Sequence, residues 1–123
     1  MTVNITFTSN PTVYRMIWDQ NPVENDVRIA FLHIEEILND TTQETHIIVD
    51  LTANPRFPMK ATLNGAMKIN QHPRMGNWLV IGGNHAARII GRSLSMLGRM
   101  NVSWYESEEE AMGYLKNLNV HHY

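Results

Sequence analysis

The run His46-Ile47-Ile48-Val49-Asp50-Leu51 decides how this chain folds. Its apolar residues are consecutive, which is typical of a strand buried on both faces of a parallel sheet. A second run of this kind, Trp78-Leu79-Val80-Ile81, ends at Gly82-Gly83. A stretch with helical spacing follows each run, from Pro58 and from Asn84. This alternation predicts parallel strands joined by helical crossovers.

Upstream of these two strands, the pattern predicts a hairpin and a helix. Residues 3–7 alternate between apolar and polar, and residues 13–18 form the second strand beyond a Ser-Asn-Pro turn. A long helix is expected to follow, because Asn21 can cap it, Pro22 suits its first position and Glu24 closes a capping box. Apolar residues at helical spacing then continue to residue 38.

Downstream, the pattern predicts three more helices and one more strand. The third helix is expected to stop at Gly98, and residues 102–105 form the last strand. Ser107 and Glu110 open the final helix as a capping box. The inward residues predicted for the second helix are Met59, Leu63, Ala66 and Met67.

The chain is therefore predicted to be one α/β domain over residues 1–118, with a C-terminal tail at 119–123. We expect a mixed, mostly parallel sheet of about five strands with four helices, in the order β-β-α-β-α-β-α-β-α. The absence of cysteine among 123 residues excludes disulfides and thiolate chemistry. The sequence shows neither a signal peptide nor a membrane span, so a cytoplasmic location is expected.

Charge is distributed unevenly along the sequence. Residues 51–105 contain seven basic residues and no acidic one, whereas residues 1–50 contain eight acidic and two basic residues. Residues 106–123 add four acidic residues against one lysine, so the total is only −2. A cationic region attracts anionic partners over about a Debye length. The middle of the chain is therefore the expected working surface.

The order of elements and their motifs resemble the STAS superfamily, whose fold is that of SpoIIAA, an anti-sigma-factor antagonist. The resemblance extends over almost the whole chain and includes small stand-alone bacterial proteins. It is carried by Ile47-Ile48-Val49-Asp50-Leu51-Thr52, by His72-Pro73, by Trp78 to Asn84 and by Ser107 to Leu115. It implies a non-catalytic signalling or regulatory domain that binds partner proteins, and in some members nucleotides or other small ligands.

In the antagonist branch, a serine at the start of the helix after the Asp-Leu strand is phosphorylated. The helix N-terminus suits a phosphate, because it presents free N–H groups and a positive dipole end. In this sequence Met59 occupies the matching place, between Pro58 and Lys60, so the resemblance does not transfer the phosphoswitch. Thr52 and Thr62 are the nearest hydroxyls and are weak alternative phosphosites.

The predicted interaction surface consists of residues near the second and third helix starts: Arg56, Met59, Lys60, Arg88 and Arg92. Both helices follow strand carboxyl ends, where open α/β sheets place their ligands. The expected partner is a protein with an acidic or phosphorylated surface, and self-association is left open. The alternative is a solvated surface whose arginines pair with the protein's own acidic helices.

A second hypothesis is an anionic or nucleotide-like ligand at the turn Gly82-Gly83-Asn84. The turn matches neither glycine-rich phosphate motif, and a tight entry into the third helix is the favoured explanation.

No enzymatic chemistry, metal or cofactor is expected from the sequence. Among the six histidines no H-x-x-x-H pair occurs, and no nucleophile motif is present. Asp50 is the best-placed carboxylate, and a local hydrogen bond explains it. The pI near 6.3 disfavours nucleic acid as a partner.

Overall fold

The computed structural model describes residues 3–97 and 99–120. Its elements have the predicted order β-β-α-β-α-β-α-β-α. The strands are β1 (Val3–Phe7), β2 (Val13–Trp18), β3 (Thr45–Leu51), β4 (Met75–Gly82) and β5 (Val102–Tyr105). The helices are α1 (Glu24–Asp40), α2 (Met59–Asn70), α3 (His85–Leu97) and α4 (Glu108–Val120).

The five strands lie in the sheet in their sequence order, β1-β2-β3-β4-β5. Strand β1 is antiparallel to β2, with Val3 opposite Trp18, and the remaining pairs are parallel. The predicted mixed sheet with an antiparallel hairpin at one edge is thus confirmed. Because β2 to β5 run in the same direction, the loops that follow them meet at one edge of the sheet.

Helices cover both faces of the sheet. Each crossover from β2 to β5 steps the same way along the sheet, and right-handed crossovers then place α1, α2 and α3 on one face. Helix α4 packs on the other face. In β3, Ile47 belongs to the core under the three helices and Ile48 to the core under α4, and both are fully buried. The prediction that this strand is buried on both faces is confirmed.

The predicted start of the first helix is wrong. Helix α1 begins at Glu24, its N-cap is Val23 in an extended conformation, and no side chain caps it. Asn21 and Pro22 precede the cap, so neither has its predicted role. Glu24 and Asp26 in the first turn favour the positive end of the helix dipole instead.

The predicted inward face of α2 is only partly right. Ala66 is buried and Leu63 packs against the core, but Met59 is 49% exposed and Met67 is 39% exposed. The physical reason is the close approach of α2 to α1. A Cβ on Gly65 would lie 2.3 Å from the ring of Phe31, so this glycine turns its bare side toward α1.

Helix ends further along the chain follow local capping rules. Asn84 Oδ1 accepts the Ala87 N–H at 3.0 Å, which caps α3. Ser107 Oγ accepts the Glu110 N–H at 3.2 Å, which confirms the predicted cap of α4. The predicted stop at Gly98 lies outside the described residues. Helix α4 extends to Val120, two residues into the predicted tail, whose remaining residues 121–123 are also outside them.

Candidate functional site

The glycine turn after β4 is required by the backbone. Gly82 and Gly83 have φ values of 75° and 91°, in the region that favours glycine. A Cβ on Gly82 would lie 3.0 Å from the backbone of Thr52, and one on Gly83 would lie 3.2 Å from the Cβ of Ala87. The turn therefore brings β4 close to the end of β3 and directs the chain into α3, where Asn84 serves as the cap. An anion site at this turn stays a prediction.

Asp50 at the end of β3 stabilises the following turn. Its Oδ1 accepts the Thr52 N–H at 3.0 Å and the Thr52 hydroxyl at 2.7 Å. This local hydrogen bonding is the role predicted for Asp50. Thr52 is exposed, whereas Thr62 is buried within α2 with 6% of its surface exposed. Of the two weak phosphosite candidates, only Thr52 is therefore accessible in this conformation.

The place matched to the STAS serine is the first residue of α2. Pro58 is the N-cap residue and Met59 follows it, half exposed at the helix start. No side chain caps this helix and no acidic residue lies in its first turn. An apolar thioether therefore stands at the start of α2, and its match to the phosphorylated serine stays a prediction.

The predicted basic residues are all exposed, but they lie in different surroundings. Arg56 lines a polar depression of about 390 Å³ beside the loop that follows β2. Lys60 lines a groove of about 520 Å³ between α1 and α2. Arg88 lies over the ring of Trp104, with its Cζ atom 5.1 Å from the ring centroid, and Arg92 follows one turn later in α3.

Few basic side chains of residues 51–105, here called the basic stretch, form ion pairs with the protein's own carboxylates. Lys68 lies 3.6 Å from Glu35 of α1. Within residues 3–97 and 99–120, no other basic side chain of the stretch lies within 4.0 Å of a carboxylate. Helices α2 and α3 contain four basic residues and no acidic one, whereas α1 contains five acidic residues. The basic charge is thus concentrated on α2 and α3.

An ion pair joins α4 to the sheet on the opposite face. Arg15 of β2 donates from Nε and Nη2 to the two carboxylate oxygens of Glu108, at 2.5 and 2.6 Å. This hydrogen bonding lowers the pKa of Glu108 and raises the pKa of Arg15. The pair anchors the start of α4.

His46 is a partly buried histidine at the start of β3. Burial lowers its pKa, and its Nδ1 accepts the Asn77 N–H at 2.9 Å, which requires that nitrogen to be unprotonated. Glu44 lies 3.7 Å from Nε2. In the described part of the chain, no group of three His, Asp or Glu residues could hold a metal ion.

The structure also contains a narrow apolar cavity that the sequence did not predict. We call it the α2–α3 cavity. It has a volume of about 70 Å³ and lies between α2, α3 and the sheet, with Leu51, Trp78 and Val80 among its lining residues. Trp18 and Thr62 also line it, and neither the Trp18 Nε1 nor the Thr62 Oγ1 has a hydrogen-bond partner among residues 3–97 and 99–120. A threonine within the apolar face of α2 is a visible signal, but its lack of a partner depends on tertiary packing.

None of the helices in the described ranges is both long and apolar enough to cross a membrane.

Comparison with known proteins shows the fold. No protein-family model matches the sequence, and no curated protein matches it. Among solved structures, the chain is similar to an uncharacterised protein of the DUF3478 family from Shewanella loihica PV-4, which is described as having a SpoIIAA-like fold. The TM-score is 0.70 at 14% identity, over 93% of this chain and 92% of the other. The chain therefore has a SpoIIAA-like fold.

Proposed function

We propose that this protein is a non-catalytic regulatory module that binds an acidic segment of a partner protein through its interaction surface (Arg56, Met59, Lys60, Arg88 and Arg92). The observation that carries the proposal is the acid-free, largely unpaired basic charge of α2 and α3. Charge of one sign on a surface steers a partner of the opposite sign and selects against others.

Apolar side chains next to this charge support a protein partner. Met59 is half exposed at the start of α2, and Ile89 is exposed between the two arginines of α3. Protein interfaces combine an apolar centre with a polar rim, and methionine and arginine are both enriched there. A flexible thioether also adapts to the shape of a bound surface.

Structural roles account for the ionisable groups whose pKa is displaced. Arg15 and Glu108 bind each other, and the partly buried His46 accepts a hydrogen bond from the Asn77 backbone N–H. Burial raises the pKa of Tyr105. None of these four residues lines the α2–α3 cavity. Catalytic groups are usually displaced in pKa inside a cleft, so this distribution supports a binding role.

The test uses a partner isolated from native cells on the immobilised protein and then purified. Its affinity is measured by calorimetry at low and high salt for the wild type and for a double variant, Lys60→Gln with Arg92→Gln. Arg88 is left in place because it packs on Trp104. Lys116→Gln on α4 removes one positive charge on the opposite face, as each of the two substitutions does on this face, and serves as the control.

We expect the double variant to bind about 2- to 30-fold more weakly, since each exposed ion pair contributes about 0.2–1 kcal/mol. The wild-type affinity should fall with added salt, because salt screens exposed charges. Unchanged affinity in the double variant, or an equal loss in the control, would show that the partner binds elsewhere.

A further inference from the structure

Two buried polar atoms on the wall of the α2–α3 cavity lack a hydrogen-bond partner in the part of the chain that the structure describes. Trp18 is 3% exposed and Thr62 is 6% exposed, and both line the cavity. The atoms concerned are the Nε1 of Trp18 and the Oγ1 of Thr62. Leaving such groups unpaired costs free energy, so buried polar atoms in proteins nearly always have a partner. Two of them at one cavity point to a partner that enters it.

The chemistry of these two atoms defines the partner. An indole N–H can only donate a hydrogen bond, whereas a threonine hydroxyl can donate or accept one. An oxygen atom with two lone pairs can therefore accept a hydrogen bond from either group. The described residues that line the cavity include no charged side chain, so an ionised ligand would be buried without a counter-charge. The ligand should be neutral, with one oxygen on an apolar body.

The size of the cavity limits the part of the ligand that is enclosed. An apolar cavity of about 150 Å³ holds the six non-hydrogen atoms of benzene, so about 70 Å³ holds roughly three, which is the carbonyl or hydroxyl end of a ligand. A water molecule is a poorer occupant, because buried waters typically make about three hydrogen bonds. Here the walls beyond Trp18 and Thr62 are almost entirely apolar.

We propose that the α2–α3 cavity binds a small neutral carbonyl compound or alcohol, whose oxygen accepts hydrogen bonds from the Trp18 indole and the Thr62 hydroxyl. The apolar body of the ligand packs against Leu51, Val80 and Leu94, which line the same space. The site uses no residue of the interaction surface, so it is independent of the function proposed above.

The direct readout is the indole N–H signal of Trp18 in nitrogen–proton correlation NMR of the full chain. The chain has three tryptophans, and Trp18→Phe assigns the signal by removing it. Trp78 also lines the cavity, but its Nε1 already donates to Asn70 Oδ1 at 3.2 Å, so its signal reports contact with the ligand and not a new hydrogen bond. The probes are 2-butanone, its hydrocarbon isostere 2-methylbutane and the charged butyrate.

We expect 2-butanone to move the Trp18 signal in a saturable way toward the hydrogen-bonded position. Neither 2-methylbutane nor butyrate should do so, because one has no acceptor and the other is charged. Thr62→Val should weaken 2-butanone binding about two- to tenfold, the effect of one net hydrogen bond. Thr45→Val is the control, because Thr45 is also buried but does not line the cavity.

Three outcomes would overturn the proposal. The Trp18 signal could fail to respond to 2-butanone up to its solubility limit, which would mean that the cavity does not bind this class of ligand. The hydrocarbon could move the signal as 2-butanone does, which would make the oxygen irrelevant. Thr45→Val could weaken binding as much as Thr62→Val, which would assign the loss to general destabilisation.

Discussion

The unpartnered hydroxyl of Thr62 makes a specific prediction about stability. Thr62→Val keeps the shape of the side chain and the helix propensity nearly constant while it removes the hydroxyl. A buried hydroxyl without a hydrogen bond costs about 1–3 kcal/mol in proteins. The variant should therefore be more stable than the wild type by about 1–2 kcal/mol, since the surrounding wall relaxes in part.

The corresponding change in melting temperature follows from chain length. Unfolding entropy near the midpoint is about 2.1 cal/mol/K per residue, or about 260 cal/mol/K for 123 residues. A gain of about 1–2 kcal/mol then raises Tm by about 4–8 °C. Thermal unfolding followed by circular dichroism measures the shift, and urea unfolding measures the free energy separately.

A matched control is available at Thr45. This threonine is 1% exposed, and its hydroxyl donates to the Gln43 carbonyl at 3.2 Å. Thr45→Val loses that hydrogen bond, so the same substitution should lower Tm by about 2–6 °C. If Thr62→Val lowered Tm as Thr45→Val does, the Thr62 hydroxyl would have a partner and the reasoning about the cavity wall would be refuted.

Three further predictions concern the Arg15–Glu108 ion pair, the partly buried His46 and two glycines. Because Arg15 lowers the pKa of Glu108, this carboxylate stabilises the fold above its unfolded pKa, and the contribution is lost as pH falls through its lower folded pKa. In Glu108→Gln the free energy of unfolding, measured with urea, should therefore fall less steeply as pH is lowered. The difference should be less than about 1 kcal/mol because the pair is partly exposed. The same pH dependence in variant and wild type would contradict this. His46 has a lowered pKa, so the unfolded chain gains its proton first, and stability should fall as pH drops from about 6.5 toward the folded pKa; ring NMR signals that titrate at or above the ordinary value would oppose this. Gly91→Ala should destabilise by about 1–3 kcal/mol, because its Cβ would lie 2.5 Å from the tryptophan ring of β5. In Gly113→Ala of α4 the new Cβ meets nothing within 4 Å, so this variant should be stabilised by about 0.5–1 kcal/mol. If Gly91→Ala and Gly113→Ala shifted the urea midpoint in the same direction, the packing described here would be contradicted.

The sheet was predictable because its signals are local. Residues 46–51 and 78–81 are continuous apolar runs, and such runs occur where both faces of a strand are covered. Their alternation with helical patterns determines the crossovers, and the handedness rule then determines the face on which the helices lie. Ser107 and Glu110 predicted the start of α4 because a cap involves only neighbouring residues.

Helix orientation was less predictable because it depends on contacts between distant segments. Met59 and Met67 fit the apolar pattern of α2, yet the contact of Gly65 with Phe31 rotates both partly into solvent. Likewise, Asn21 is a residue type that often caps helices, but Val23 is extended, so α1 begins only at Glu24. Composition indicates which residues can take a role, and packing decides which of them do.

The candidate sites divide in the same way. The basic charge of α2 and α3 is visible in the sequence, since charge on a surface helix needs no partner to be recognised. The α2–α3 cavity is not visible, because Trp18 and Thr62 belong to a strand and a helix that meet only after folding. An unpaired buried atom is a property of the whole packing arrangement.

Helix α2 presents these two kinds of chemistry on opposite faces. Lys60 points into the groove beside α1 and is exposed, whereas Thr62 is buried at the cavity. The two functions should therefore separate by mutation: Lys60→Gln should leave the response of Trp18 to 2-butanone unchanged, and Thr62→Val should leave partner affinity unchanged. Any change in partner affinity with Thr62→Val would mean that α2 couples the two faces. Because coupling between two binding equilibria is reciprocal, the partner would then have to change 2-butanone affinity by the same factor as 2-butanone changes partner affinity.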